Sequence, residues 1–76
     1  MHRILMRFKI VKTGGIVEAY LDRRLSFYDN FILLEKMLDE RIAGYRVFDQ
    51  NKGIFLDMNI PIEEFDIKTF MYFYLL

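Results

Sequence analysis

A chain of 76 residues whose 11 basic and 11 acidic side chains cancel lacks the cationic excess with which nucleic-acid binders neutralise phosphate. With no cysteine it has no disulfide framework, no thiolate-held zinc or iron–sulfur cluster and no thiol nucleophile. A hydrophobic share of 54%, including 8 Phe and 5 Tyr, is far from the composition of a disordered segment and suits one small domain over residues 1–76.

The N-terminal stretch Arg3–Lys12 alternates, with Ile4, Met6, Phe8 and Ile10 on one side and Arg7 and Lys9 on the other. A period of two predicts a half-buried strand. Thr13-Gly14-Gly15 predicts a tight turn, because glycine reaches the positive φ values such turns need. Ile16–Leu21 returns as a second strand with Val17, Ala19 and Leu21 facing the core, and Asp22-Arg23-Arg24 follows as a polar loop. Ser26 then caps a helix in which Phe27, Phe31, Leu34 and Leu38 form the apolar face. Glu35, Lys36, Asp39 and Glu40 lie opposite, and the helix is expected to stop before Gly44.

Tyr45–Phe48 reads as a short third strand, Asp49–Gly53 as a turn, and Ile54–Leu56 as a fourth strand. Pro61 opens a short helix whose Glu63, Glu64 and Asp66 favour the positive end of the dipole. Thr69–Leu76, dense in aromatics, predicts a last strand. If Met71, Phe73 and Leu75 turn inward, then Phe70, Tyr72 and Tyr74 turn outward.

No candidate for chemistry survives inspection. His2, the single histidine, lies beside the initiator Met without companion ligands, and Ser26, the single serine, has no base to activate it. Asp57, Glu63, Glu64 and Asp66 lack the central glycine of a calcium loop, and Gly14-Gly15 lacks the rest of a phosphate loop. No catalytic, metal or cofactor site is therefore expected, and the chain is read as a non-enzyme. Basic residues interrupt the N-terminal apolar stretch, so no signal peptide is expected. The run Phe70–Leu76 is far shorter than the roughly twenty residues of a bilayer span, so a cytoplasmic location without membrane insertion is expected.

The order strand, strand, helix, strand, strand, short helix, strand resembles that of ubiquitin. So do the Thr13-Gly14 turn and the segment Ile62-Glu63-Glu64-Phe65-Asp66-Ile67, whose apolar, aromatic and aliphatic positions match ubiquitin's Leu-Ser-Asp-Tyr-Asn-Ile. The implied fold is α+β: a ubiquitin-like β-grasp roll, with a mixed four- to five-stranded sheet on one main helix and a short helix before the last strand. Within that superfamily the chain is most similar to the YukD/EsaB-type bacterial ubiquitin-like proteins of type VII secretion. The resemblance implies a protein-interaction module, an adaptor or regulator, with a secretion-system component among its expected partners. It places the partner-binding patch at Phe48, Tyr72 and Tyr74, flanked by Arg46 and Arg7, and puts Lys12 where ubiquitin carries an apolar residue. Ubiquitin's terminal Gly-Gly has no counterpart in Tyr74-Leu75-Leu76, so conjugation is not expected. The alternative is a self-associating domain that forms a homodimer through the same aromatic sheet face.

Overall fold

Phe8 shows how the alternating first strand organises the molecule. The computed structural model describes residues 2–68 and 71–76. Strand β1 (Arg3–Ile10) buries Ile4, Met6, Phe8 and Ile10, as its period of two predicts. Its partner β2 (Ile16–Asp22) runs antiparallel, with Phe8 opposite Val17 and Arg7 opposite Glu18. The turn between them closes through the Gly14 N–H to the Ile10 carbonyl at 2.8 Å, and Gly14 takes φ 76°, a value that favours glycine.

Helix α1 (Phe27–Leu38) is capped as expected, since the Ser26 Oγ accepts the Asp29 N–H at 3.0 Å. It packs Phe27, Phe31 and Leu34 against the sheet. The helix is shorter than the sequence suggests: Asp39 turns left-handed at φ 52°, five residues before Gly44. The chain must leave the helix there for Ile42 to reach the core, where it is fully buried, and the Glu35 carboxylate accepts the Ala43 N–H at 3.1 Å to hold the return. Leu38, expected on the core face, is consequently exposed, and Asp39 and Glu40 belong to the loop.

Strands β3 (Val47–Asp49) and β4 (Ile54–Phe55) form a short hairpin. The buried Asp49 carboxylate accepts the N–H groups of Asn51 and Lys52, at 2.9 and 3.2 Å, and so satisfies the turn from inside. The short helix expected after Pro61 is a single 3-10 turn, Ile62–Glu64. Strand β5 (Tyr72–Leu75) then enters between β1 and β3, parallel to the first and antiparallel to the second. The sheet order is β2-β1-β5-β3-β4, five strands, mixed, with α1 across one face. Thr69 and Phe70, expected at the start of the last strand, lie outside the described residues.

The core is aromatic. The Phe8 ring meets Phe31 edge-on at 5.4 Å, Phe27 edge-on at 6.3 Å and Phe73 tilted at 6.3 Å. Such pairs add about 0.5–1.5 kcal/mol each beyond the area they bury. A polar tie fixes α1 to the end of β2. Buried Asn30 accepts the Asp22 N–H at 2.8 Å and donates to the carbonyls of Asp22 and Ser26 at 2.9 and 2.8 Å. The sequence pattern, tuned to apolar periodicity, did not single out this residue.

Truncation at the hub should be severe and truncation on the open side mild. Phe8→Ala is expected to destabilise by about 3–5 kcal/mol, a large part of a small domain's total. Phe55→Ala, at a partly exposed position whose ring touches Phe48 and Arg46, should cost less, about 1–2 kcal/mol. Urea midpoints for the two variants check this pair.

Side-chain and backbone hydrogen bonds from Arg24 to the Asp22 carboxylate, the former at 2.8 and 3.1 Å, lower its pKa from 3.8 to about 2. A carboxylate depressed in the folded state contributes stability above its unfolded pKa and loses it as the pH falls through its folded one. Wild-type stability should therefore decline more steeply between pH 4 and about 2 than that of Asp22→Asn, as read by thermal melts across that range.

Candidate docking face

The side of the sheet away from α1 is set by the same register that builds the core. Arg7 pairs with Tyr72 and Lys9 with Tyr74 across β1 and β5, and Phe48 pairs with Tyr74 and with Phe55 across β5, β3 and β4. Residues paired in register project to the same side. Because Phe73 and Leu75 are buried, Tyr72 and Tyr74 must emerge on the open face, where both are half-exposed. Their rings stand edge to face at 5.9 Å, and those of Phe48 and Phe55 at 5.0 Å.

Four aromatic rings thus cross three strands as one row. Arg46 precedes β3, and its backbone bonds to that of Leu76 in both directions, at 2.8 and 3.0 Å. Its guanidinium lies over the Phe55 ring, 4.0 Å from the centroid, a cation–π contact that holds the charge at one end of the row. At the other end Arg7 is paired with Glu18, 2.8 Å from Nη2 to Oε2 and 2.9 Å from Nε. Both side chains are about half exposed, so that pair is worth only about 0–1 kcal/mol and leaves Arg7 able to exchange partners. Arg3 and Lys9 add positive charge to the same face. A hollow of about 110 Å³, lined by Leu5, Met6, Arg7 and Glu18, opens beside the Tyr72 end.

All five residues expected in the patch, Phe48, Tyr72, Tyr74, Arg46 and Arg7, therefore share one face, and Lys12 lies in the turn at its edge. The sequence reading missed Phe55, 43% exposed, and Tyr20, 64% exposed. Phe55 falls opposite Phe48 because Asp49 belongs to β3 and the turn is residues 50–53; the expected turn Asp49–Gly53 would have set Ile54 there instead. Tyr20 pairs with Leu5, on the far side of Arg7 from the aromatic row. Among the described residues no three of His, Asp and Glu converge as a metal site, and no helix is long and apolar enough to cross a membrane.

No model of a known protein family matches the chain, and no curated protein sequence does. Solved structures do. A designed protein based on ubiquitin superposes with a TM-score of 0.73 at 13% identity, over 99% of this chain and 88% of that one. The ubiquitin-like domain of Plasmodium falciparum Dsk2 gives 0.67 at 13% identity, over 97% and 99%. A chain of the MycP5-free ESX-5 inner membrane complex gives 0.71 at 11% identity; all of this chain matches 21% of that one. At such identities the likeness is one of architecture, and the architecture is the ubiquitin-like β-grasp.

Proposed function

We propose that this ubiquitin-like domain is a protein-interaction module, without chemistry of its own, whose docking surface is the open face of the sheet. The observation that carries the reading is the row Phe55, Phe48, Tyr74, Tyr72 with Arg46 clamped at one end. Aromatic rings and arginine are the side chains most often found as binding anchors, because they bury large area with few rotors and keep a polar edge. Scattered exposed apolar residues need no explanation, but a contiguous aromatic row on one face is more than scatter. Arg3, Arg7, Lys9 and Arg46 outnumber Glu18 and Asp22 and give the face a positive sign, which suits a partner segment with apolar anchors between carboxylates.

The biological setting we favour is a bacterial type VII secretion apparatus, with this domain acting on its cytoplasmic side as an adaptor or regulator. Two things support that setting: the similarity to YukD/EsaB-type proteins, and the fold match to part of a chain in the ESX-5 inner membrane complex. In this reading the surface works without conjugation of the C-terminus.

The test is a chemical-shift titration of labelled protein with purified soluble portions of the membrane components of such an apparatus. Shifts are expected to cluster at Arg46, Phe48, Phe55, Tyr72 and Tyr74. Tyr74→Ser should weaken the interaction by at least about tenfold, roughly 1.4 kcal/mol, and added salt should weaken it further. Shifts confined to α1, or no binding by any component, would overturn the assignment.

A further inference from the structure

The outward side of α1 carries more apolar surface than a helix covered on one side requires. Phe27, Phe31 and Leu34 point into the core, yet Tyr28, Ile32, Leu33 and Met37 are exposed, Met37 at 80%. Exposed apolar side chains gathered on one face of a helix mark a surface able to pack against a partner. Along the middle of this outward face stand Asp29 and Lys36, two turns apart. Neither side chain has an ion-pair or hydrogen-bond partner among the described residues.

We propose that this face pairs with the same face of a second copy of the chain, the two helices antiparallel about a two-fold axis between Ile32 and Leu33. That axis brings Asp29 of each copy to Lys36 of the other, so two reciprocal ion pairs bracket a centre where Ile32 meets Ile32 and Leu33 meets Leu33. Positions 29, 32, 33 and 36 follow the i, i+3, i+4, i+7 spacing of a helix seam, and a two-fold contact requires such self-complementarity. Parallel pairing would set Asp29 on Asp29 and Lys36 on Lys36, so the charges select the antiparallel arrangement. The same operation carries Tyr28 of the second copy towards an open groove of about 430 Å³ beside the C-terminal half of α1, lined by Ile32, Glu35, Lys36, Asp39, Glu40 and Arg41. The ring covers Ile32 there, and the phenol hydroxyl faces the polar rim.

One helix face supplies less than the roughly 800 Å² per partner of a standard interface, so the dimer is weak and forms at high local concentration. It uses the side of the domain opposite the sheet face and stands independently of the docking proposal.

Sedimentation velocity on the wild type, on Asp29→Lys, on Lys36→Asp and on an equimolar mixture of the two variants tests it, with circular dichroism to show that each variant is folded. The wild type is expected to dimerise below about 1 mM, each single variant to associate at least about tenfold more weakly, and the mixture to recover wild-type association. Recovery follows because the mixed pair restores opposite charges at both contacts, which a merely structural role for either residue would not produce. A wild type that stays monomeric at about 1 mM, variants that dimerise unchanged, or a mixture no stronger than its components would overturn the proposal. So would a dimer abolished by Tyr74→Ser, which would place self-association on the sheet face.

Discussion

The register of β5 between β1 and β3 is the constraint on which both sides of this molecule depend. Parallel pairing with β1 sets Phe73 beside Phe8, and antiparallel pairing with β3 sets Leu75 beside Val47. The core therefore closes only when those two side chains point inward. Because a strand alternates, that choice forces Tyr72 and Tyr74 outward, opposite Arg7 and Phe48. A slip by one residue would bury two phenols and expose a phenylalanine that touches the aromatic hub. The orientation of the outer face is thus held by the energetics of the inner one, without any dedicated support.

The parts of the fold legible in the sequence are those where one local rule governs. Alternation marked both faces of β1 and β2, Ser26 marked the start of α1, and Gly14 marked the first turn. The end of α1 was less legible, because what stops the helix is distant in the chain. Ile42 has to reach the core, and a left-handed Asp39 is the means, while Gly44 is only a downstream neighbour. Asn30 was hidden for a related reason. Its role is to satisfy backbone groups of Asp22 and Ser26, and no periodicity announces a polar side chain that is buried because it is fully bonded.

The candidate site divides in the same way. Phe48, Tyr72 and Tyr74 follow from strand alternation combined with the resemblance to ubiquitin, and the register brings them together. Phe55 lies on a strand of only two residues, too short for alternation to show, and the cation–π contact with Arg46 depends on a hairpin geometry that composition does not contain. The exposed residues of α1 were absent from the expectation because a single apolar stripe, Phe27, Phe31, Leu34 and Leu38, was enough to explain the helix, although Leu38 itself is exposed. Only the solvent exposure of Ile32, Leu33 and Met37 shows that a second stripe is left over.

The two faces gain meaning together. The sheet's open side and the outer side of α1 are on opposite surfaces, so covering one leaves the other accessible. A pair of domains joined through α1 would present two aromatic rows facing away from each other, each with its own basic flank. A partner carrying two suitable segments, or partners held side by side in an assembly, would then be engaged twice, with the second contact made at an effective concentration in the millimolar range for short connections. Weak single contacts suffice under that arrangement. Two modest surfaces used in this way would suit additive binding better than a single tight grip. The near-balanced charge of the chain favours the same outcome, because it places no long-range repulsion between copies.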